Sequence, residues 1–503
     1  MNILLIDPSI GTGDGLNTGL AWLAASVDAA GYGVRVLDFV NRPQMDFDST
    51  ALYLKENVER LKPDVVGFCI HSITTQITCR LVENLKKHYD GFVIIGGPQM
   101  AFEHGEIFNK MPQIDFAVVG EAEDTLPELL AALENKASEY SEINGIIWKK
   151  SGKIIENTSR KQRQDIDTLP YPDYRKHFGL ETLTAPYSIM TSRGCPYSCI
   201  FCNSHMSGKK WRTRSLENVM NELENAIRIY GVQEFMVQEP VFNLRPERVV
   251  EFCHLLQERK INLPWFSPSG IRADKLTPEC IEAMKESGCT EIKIGVESLV
   301  PEVLENANKN VTVETIVEIC NMIKKSSFPL RGSFIIGLPG DNYQRTMENF
   351  NRSRKLGFDT TDWSLLIPYP GTKAYEWVME NGRMFYDYCS ADQGAFQVTK
   401  PGDIKLAFDT VDFPAKERIK AFVKISVKSG NYIFDRNQSS LKKAYSLLKQ
   451  IMLHDPLRIL THISGIYKKL KISRKRGPLK SDRYKFKELA PFAKTIQIEK
   501  PTG

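Results

Sequence analysis

The chain has 503 residues, which is too many for one compact core, so we predict two or three domains. Its composition, with 25% charged and 42% hydrophobic residues, excludes global disorder and a collagen-like repeat. The formal net charge is +5, but residues 468–487 contain ten Lys or Arg and one acid, so the slightly acidic remainder is not predicted to bind nucleic acid. No apolar run is long enough to span a membrane, and the first residues lack a signal-peptide pattern, so we expect a cytoplasmic location. Because that compartment is reducing, we expect the ten cysteines to be ligands or buried thiols.

Short apolar runs alternate with helical patterns in the opening third of the chain. This alternation predicts an α/β domain with a parallel, doubly wound sheet that helices cover on both faces. Helices are predicted at residues 19–30 and 81–88. A hairpin is predicted at residues 146–155, and the polar stretch with Pro170 and Pro172 that follows indicates a domain boundary. Strands are predicted at residues 3–6, 34–39, 64–70, 92–95 and 115–119.

Small, hydroxyl-bearing and glycine residues follow these strands at their carboxyl ends, where ligands bind in folds of this type. Such residues let a large ligand approach the backbone closely, but tight turns between strands and helices need the same residues, so both interpretations stay open on pattern alone. The glycine-rich run at residues 11–15 lacks the G-x-G-x-x-G spacing directly before a helix, so a dinucleotide site is not supported. The candidate ligand-binding residues are Asn17, Thr18, Ser72, Thr74, Gly96, Gly97, Pro98, Gly120 and Glu121.

The strongest signal in the chain is the sequence S-R-G-C-P-Y-S-C-I-F-C at residues 192–202, which directly follows a strand-like run. Its C-x3-C-x2-C spacing can bring the thiolates of Cys195, Cys199 and Cys202 to one centre. Three thiolates leave a fourth coordination position open, as a catalytic metal or cluster requires. His205 follows closely, so a structural Cys3His zinc site is one alternative, and three unrelated buried thiols are another.

Repeated strand–helix units continue after the cysteines. Together with the strand before the cysteines they make six β/α units, and polar or glycine residues end each strand, as on the active face of a β/α barrel. A structural zinc site does not need such a barrel behind it. The later strands are predicted at residues 234–237, 265–268, 291–296, 333–336 and 363–367.

Residues 185–385 resemble the radical S-adenosylmethionine (SAM) core, a partial (β/α)6 barrel. The resemblance implies that the three cysteines ligate a [4Fe–4S] cluster whose fourth iron binds SAM. It implies that Phe201 lies near the adenine and that Glu239 contacts the methionine amino group, although Gln238 stands where the family more often has glycine or aspartate. The residues that match the family positions near the ribose and adenine are Glu297, Ser298, Gly337 and Gly340.

Residues 1–140 resemble the cobalamin-binding domain that precedes the barrel in one class of radical SAM enzymes. The resemblance implies that the strand-end residues named above hold cobalamin. Because the D-x-H-x-x-G signature is missing, we expect cobalamin without a histidine ligand, and His71 is a remote alternative. Only Cys69 and Cys79 lie in this part, so a methylthiotransferase, which needs a second three-cysteine cluster, is a weak alternative. A Rossmann-like domain that has lost cobalamin is a further alternative.

The resemblance implies an enzyme that cleaves SAM to a 5′-deoxyadenosyl radical inside a closed barrel, with a reductase such as flavodoxin or ferredoxin as partner. Methylation of an unactivated carbon in a small-molecule or lipid-like intermediate is the favoured reaction. Cyclisation or rearrangement by the same domains is the alternative, and a non-catalytic iron–sulfur or zinc protein is a weaker one.

The family pattern stops near residue 385. Helices are predicted at residues 409–435 and 441–470, and the amphipathic, basic pattern at residues 457–469 permits peripheral contact with an anionic membrane. We favour a helix that caps the barrel, followed by a solvated basic tail. The predicted organisation is a Rossmann-like cobalamin-binding domain, a linker, the radical SAM barrel and a mainly helical C-terminal region, at residues 1–150, 151–184, 185–385 and 386–503.

Overall fold

The computed structural model divides the chain into two units. Residues 1–163, 167–184 and 480–503 form the first unit, and residues 164–166 and 185–479 form the second. The structure describes residues 1–9, 15–39, 46–183, 185–203, 208–386, 404, 406–430, 449, 451–454, 484–486, 489 and 492. The predicted boundaries at residues 150, 184 and 385 stay predictions.

The first unit is built on one seven-stranded sheet. Its strands are β1 Asn2–Asp7, β2 Gly33–Asp38, β3 Val65–Cys69, β4 Phe92–Gly96, β5 Phe116–Val118, β6 Ile146–Lys150 and β7 Lys153–Glu156. Strand β8, Leu180–Leu183, lies outside this sheet. The order in the sheet is β2-β1-β3-β4-β5-β6-β7. The first five are parallel, whereas β6 and β7 form the predicted hairpin and pair antiparallel, so the sheet is mixed rather than wholly parallel.

The helices of the first unit are α1 Thr18–Ala29, α2 Phe47–Leu61, α3 Thr75–Leu85, α4 Met100–Glu103, α5 Ile107–Lys110, α6 Thr125–Glu134 and α7 Tyr174–Phe178. The predicted helices correspond to α1 and α3, whereas sequence reasoning missed α2. That helix begins where the Asp46 side chain accepts a hydrogen bond from the Ser49 backbone, and it ends at Lys62 in the left-handed conformation. Helices flank the sheet, which explains why β1 is an uninterrupted buried apolar run.

The strand order places a topological switch point between β1 and β3. The chain leaves β1 toward β2 on one side of the sheet and later returns to β3 on the other side. In folds of this type, ligands bind outside the carboxyl ends of the strands at such a switch point.

The second unit contains a partial (β/α)6 barrel. Its strands are β9 Tyr187–Ile189, β10 Ser192–Arg193, β11 Arg212–Thr213, β12 Phe235–Val237, β13 Trp265–Phe266, β14 Ile292–Glu297, β15 Leu330–Ile336, β16 Thr360–Leu365, β17 Gly382–Met384 and β18 Phe408–Thr410. Strands β9, β12 and β13 form one parallel sheet, and β14, β15 and β16 form another. Isolated parallel bridges between Trp265 and Cys289 and between Ile271 and Ile294 continue the pairing from one sheet to the other. The predicted fold class is confirmed.

The helices of the second unit are α8 Leu216–Tyr230, α9 Pro246–Glu258, α10 Pro278–Glu286, α11 Pro301–Asn306, α12 Val313–Lys325, α13 Tyr343–Leu356, α14 Lys373–Asn381 and α15 Ala415–Lys428. Five of these helices begin with a side chain that accepts a hydrogen bond from a backbone N–H of the first turn. This N–H group has no partner within the helix itself. These capping residues are Ser215, Thr277, Thr312, Asn342 and Thr372.

The C-terminal region contains strands as well as a helix. Strand β18 pairs antiparallel with β17, and Pro414 caps α15, so the helix predicted at residues 409–435 begins six residues later than expected. Strand β19, Tyr484–Phe486, pairs antiparallel with β8 of the first unit. The helix predicted at residues 441–470 lies outside the described residues except at 449 and 451–454. Within the part of the chain that the structure describes, no helix is long and apolar enough to cross a membrane.

Candidate functional site

The three cysteines lie in one loop, residues 194–202, which we call the cysteine loop. It begins at Gly194, whose φ of +86° and whose close approach to the Lys210 carbonyl oxygen leave no space for a Cβ. The Cys195 backbone N–H then donates to the Gly208 carbonyl at 3.0 Å. Cys195 is buried, whereas Cys199 and Cys202 are partly exposed. The first cysteine is thus fixed by the protein, and the other two face accessible space.

The far end of the cysteine loop is held by the segment between α11 and α12, residues 307–310, which we call the brace turn. The Ile200 backbone N–H donates to the Ala307 carbonyl at 3.1 Å, and the Asn308 side-chain amide donates to the Ser198 carbonyl at 2.8 Å. The Ile200 carbonyl in turn accepts from the Ala374 backbone N–H at 3.0 Å. Main-chain groups from two separate elements therefore fix the loop.

Burial and charges of both signs act on the Cys199 thiol, and its pKa is raised on balance. Burial raises the pKa of the Cys199 thiol, but the positive charges of Lys309 and Arg272 act in the opposite direction. The Cys202 thiolate raises the same pKa, so the two sulfurs interact electrostatically. Cations beside a set of thiols stabilise the deprotonated form that binds metals.

The donor set suits an iron–sulfur cluster. Three thiolates in one loop are the ligand type that clusters take, and they leave one iron open. Among the described residues, no three His, Cys, Asp or Glu side chains are placed to bind one metal ion together. His205, the fourth ligand of the zinc alternative, lies outside the described residues.

Glu239, at the carboxyl end of β12, is buried and fully hydrogen-bonded. One of its oxygens accepts from the backbone N–H groups of Thr191 and Ser192 at 2.6 and 2.8 Å, and the other accepts from their hydroxyls at 3.1 and 2.8 Å. Burial raises the pKa of Glu239 to about 7, although these four donors lower it. The carboxylate therefore joins β12 to the segment that leads into the cysteine loop. Its predicted contact with the SAM amino group stays a prediction.

Glu297 ends β14 in a left-handed conformation with φ of +61°, at a register shift in the pairing with β15. Its carboxylate accepts from the Lys309 ammonium at 2.5 Å, and both side chains are 9% exposed. A Cβ at Gly295 would lie 2.7 Å from the Lys309 nitrogen and 2.8 Å from the Glu297 oxygen, so a larger residue here would displace the ends of the paired side chains. Ser298 is buried beside the pair, and its hydroxyl accepts from the Val300 backbone at 3.1 Å.

Gly337 and Gly340 have φ of +94° and +80°, so both need the left-handed region that glycine tolerates. The Gly337 N–H donates to Asp341 at 2.8 Å, and burial raises the pKa of that carboxyl to about 6. The buried Arg418 guanidinium from α15 lies 3.0 Å from the position of a Gly337 Cβ. Phe201 packs against the same cluster of side chains as Leu338, so the structure brings the cysteine loop and the glycine motif together.

Two buried acids end the neighbouring strands β1 and β2 of the first unit, and sequence reasoning missed both. Asp7 ends β1 and accepts from the Asn17 side chain at 2.7 Å, and Asp38 ends β2 and accepts from the Asn17 backbone at 2.9 Å. The Asn17 side chain also caps α1 through the Leu20 N–H at 2.9 Å, and Thr18 is the first residue of that helix. Burial raises the pKa of the neighbouring Cys69, and Asp7 raises it further. An acid that ends an apolar strand is the signal that could have found Asp7 and Asp38.

The other predicted cobalamin residues lie at the carboxyl ends of β3, β4 and β5. The Ser72 hydroxyl donates to Gln99 at 2.6 Å, and the Thr74 hydroxyl accepts from the His71 N–H at 2.9 Å. Burial lowers the pKa of His71. These strand ends also carry Gly96, Gly97, Pro98, Gly120 and Glu121, and the space around a Gly120 Cβ is free to 4 Å.

Similarity to known proteins agrees with this geometry. Residues 189–352 match the model of the Radical SAM superfamily, and residues 11–130 match that of the B12 binding domain. Over 399 residues the chain is 30% identical to an uncharacterized methyltransferase of Pyrococcus horikoshii, covering 76% of this chain and 84% of that relative. It is 23% identical over 395 residues to the anaerobic magnesium-protoporphyrin IX monomethyl ester cyclase of Rubrivivax gelatinosus, covering 75% and 70%. The fold resembles the cobalamin-dependent SAM radical enzyme OxsB with a TM-score of 0.64 at 15% identity, covering 94% and 75%.

The barrel with its cysteine loop and the Rossmann-like unit before it define an enzyme of the radical SAM class with a B12-binding domain. The chain belongs to the B12-dependent radical SAM methyltransferase-like family. Its cofactors are a [4Fe–4S] cluster, SAM and cobalamin, so the predicted cofactor set is confirmed. The family also makes the chain an enzyme rather than a structural zinc protein.

Proposed function

We propose that this protein methylates an unactivated carbon of a small-molecule or lipid-like biosynthetic intermediate. The observation that carries the proposal is the similarity to the methyltransferase of Pyrococcus horikoshii, which spans 76% of the chain. Because neither unit alone is that large, the similarity extends over both units. Both halves of the enzyme thus support the same reaction class.

The cysteine loop is the proposed holder of the cluster, through Cys195, Cys199 and Cys202. When bound, the cluster and SAM supply radical chemistry and cobalamin supplies the methyl group. The chain keeps the loop in place with the Gly208 and Ala307 carbonyls and with positive charge from Lys309. Phe201, Glu239, Glu297, Ser298, Gly337 and Gly340 are the proposed SAM contacts.

The first unit is the proposed holder of cobalamin. Its parallel strands end in small and hydroxyl-bearing residues, and the backbone at Gly120 is accessible, because no atom lies within 4 Å of a Cβ there. The lowered pKa of His71 favours a neutral imidazole, but we propose no histidine ligand, since the D-x-H-x-x-G signature is missing. The proposed contacts are Asn17, Thr18, Ser72, Thr74, Gly96, Gly97, Pro98, Gly120 and Glu121.

The first test is anaerobic reconstitution with iron, sulfide and hydroxocobalamin, followed by iron and corrin analysis and by measurement of 5′-deoxyadenosine from SAM. We expect about four irons for one [4Fe–4S] cluster and one corrin per chain. Cys199→Ala should lose the iron, whereas Cys320→Ala, which removes a buried thiol of α12, should keep it. Stoichiometric zinc without SAM cleavage would refute the proposal.

The second candidate is a cyclase or rearrangement enzyme, which the similarity to the Rubrivivax gelatinosus cyclase favours. SAM labelled in its methyl group separates the two. A methyltransferase should pass the label to the corrin fraction and then to product, whereas a cyclase should release 5′-deoxyadenosine and leave the label on SAM or methionine.

A flavodoxin- or ferredoxin-type reductase is the proposed electron donor.

The cytoplasmic location stays a prediction. Residues 457–469, on which the membrane hypothesis depends, lie outside the described residues, and nothing further supports that hypothesis. Flotation with anionic liposomes tests it, and equal recovery with and without residues 441–503 would contradict it.

A further inference from the structure

Arg272, which no sequence motif singled out, stacks on the cysteine loop. Its guanidinium carbon lies 3.5 Å from the ring centroid of Tyr197, in the range of a strong cation–π contact. Tyr197 occupies the middle of the three residues between Cys195 and Cys199. A side chain that fixes this ring therefore acts on the spacing of the first two cysteines.

The other contacts of Arg272 fix it firmly. Its backbone N–H donates to the Asn243 side chain at 3.0 Å, and its carbonyl accepts from the same side chain at 2.8 Å. Its Nε donates to Asp274 at 2.9 Å, and the side chain is 10% exposed. The backbone and the guanidinium of Arg272 are therefore both held by hydrogen bonds that do not involve Tyr197.

Arg272 also reaches the brace turn. Its Nη2 donates to the Lys309 carbonyl at 2.9 Å, while the Lys309 ammonium pairs with Glu297. The same turn bonds to the cysteine loop through Ala307 and Asn308. One guanidinium thus connects the loop at Tyr197 with the turn that carries the partner of Glu297.

We propose that Arg272 is a positioning residue for the iron–sulfur cluster: its planar guanidinium clamps Tyr197 and holds the cysteine loop in register with the brace turn. Lysine cannot replace it, because an ammonium neither stacks as a plane nor donates in two fixed directions. This role is separate from charge, since Arg272→Lys keeps the positive charge near Cys199 and removes the stacking.

The test rests on the proposed function, because it needs the cluster. We would reconstitute the parent protein and the variants Arg272→Lys, Tyr197→Leu, Tyr197→Phe and Arg272→Lys/Tyr197→Leu without SAM, then measure the rate of iron release to a chelator. The control is Arg354→Lys on α13, whose guanidinium also faces a ring, that of Phe350, at 5.9 Å.

We expect Arg272→Lys and Tyr197→Leu each to release iron about fivefold to thirtyfold faster than the parent, because each variant removes the stacking of the planar guanidinium on the ring. The double variant should be no faster than the faster single variant, because both remove the same contact. Tyr197→Phe, which keeps the ring, and Arg354→Lys should match the parent. The EPR spectrum of the reduced cluster should change in Arg272→Lys and not in Arg354→Lys, which a merely structural role would not produce.

Iron release from Arg272→Lys at the parent rate, or additive effects in the double variant, would overturn the inference while leaving the enzyme assignment intact. A parent protein that binds no iron would instead refute the cluster itself. If Arg272→Lys fails to fold by circular dichroism, the contrast between Tyr197→Phe and Tyr197→Leu decides: equal rates would overturn the clamp and faster release from Tyr197→Leu would support it.

Discussion

The carboxyl strand ends of the two units differ in the side chains that they carry and in how deeply these side chains are buried. In the first unit, glycines and hydroxyl-bearing residues follow β3, β4 and β5, and at Gly120 the backbone faces free space, while β1 and β2 end in the buried acids Asp7 and Asp38. In the second unit Glu239 and Glu297 are buried and have partners, Glu239 four hydrogen-bond donors and Glu297 the Lys309 ammonium. An open rim suits a large ligand that rests on backbone, whereas buried charge suits a small, highly charged site in which positions must be fixed.

The largest effect should come from breaking the buried ion pair of the second unit. Lys309→Met leaves Glu297 buried without its partner, and we expect a loss of about 3–5 kcal/mol in the free energy of unfolding. Urea denaturation of the protein without cofactors measures it. The double variant Lys309→Met/Glu297→Gln should recover most of the loss, because no unpaired charge remains. A loss below about 1 kcal/mol would mean that the pair is solvated, contrary to the closed character of this site.

The next effect concerns the C-terminal segment, which returns to the open first unit. Leu489 is 6% exposed in the core of that unit, and its carbonyl accepts from the Arg60 guanidinium. Leu489→Ala should lower the stability of the first unit by about 2–4 kcal/mol. Leu453→Ala, at a position 67% exposed, is the control and should change little. Equal thermal unfolding of the two variants would show that the segment does not pack on the first unit.

A pH-dependent effect of intermediate size should come from Glu239. Burial raises its folded pKa to about 7, above the unfolded value, so the folded state binds the proton more tightly. The contribution of Glu239 to the free energy of unfolding should therefore be fully present below about pH 4.5 and be lost as pH rises through about 7, by on the order of 1–3 kcal/mol. Glu239→Gln keeps acceptor and donor positions for Thr191 and Ser192 but does not titrate. The difference in stability between parent and variant should change over this pH window, and a constant difference would contradict the raised pKa.

The smallest effect on stability should come from a substitution at Gly120, where the strand ends of the first unit face free space. Gly120→Ala adds a methyl group into free space, so only the left-handed conformation costs stability, about 1 kcal/mol. We expect the variant to fold and to bind hydroxocobalamin more weakly, as measured by titration of the corrin absorbance. Gly97→Ala is the matched change at an enclosed position, where a Cβ would lie 2.8 Å from the Ile70 nitrogen, and it should lower stability more. Unchanged corrin affinity in Gly120→Ala would remove Gly120 from the proposed cobalamin contacts.

Local pattern was sufficient for much of this protein. The apolar run of β1, the helix at α1 and the C-x3-C-x2-C spacing all concern neighbours along the chain, where side-chain period and loop length dictate the outcome. Helix α2 was missed although Asp46 caps it and although Ala51, Leu54, Val58 and Leu61 form a buried apolar face at helical spacing. The antiparallel β6 and β7 were predicted as a hairpin, but their addition to the parallel sheet was not, since the sequence does not state which edge a hairpin joins.

The sequence by itself determined the class of chemistry, because ligand spacing, strand period and glycine positions are properties of short segments. Only the tertiary structure decided which residues support that chemistry. Arg272 meets Tyr197, Lys309 meets Glu297, and β19 pairs with β8, and each contact joins positions that the chain separates. Such contacts depend on how strands and helices pack. A buried charge or a stacked ring produces no periodic pattern in the sequence from which it could be predicted.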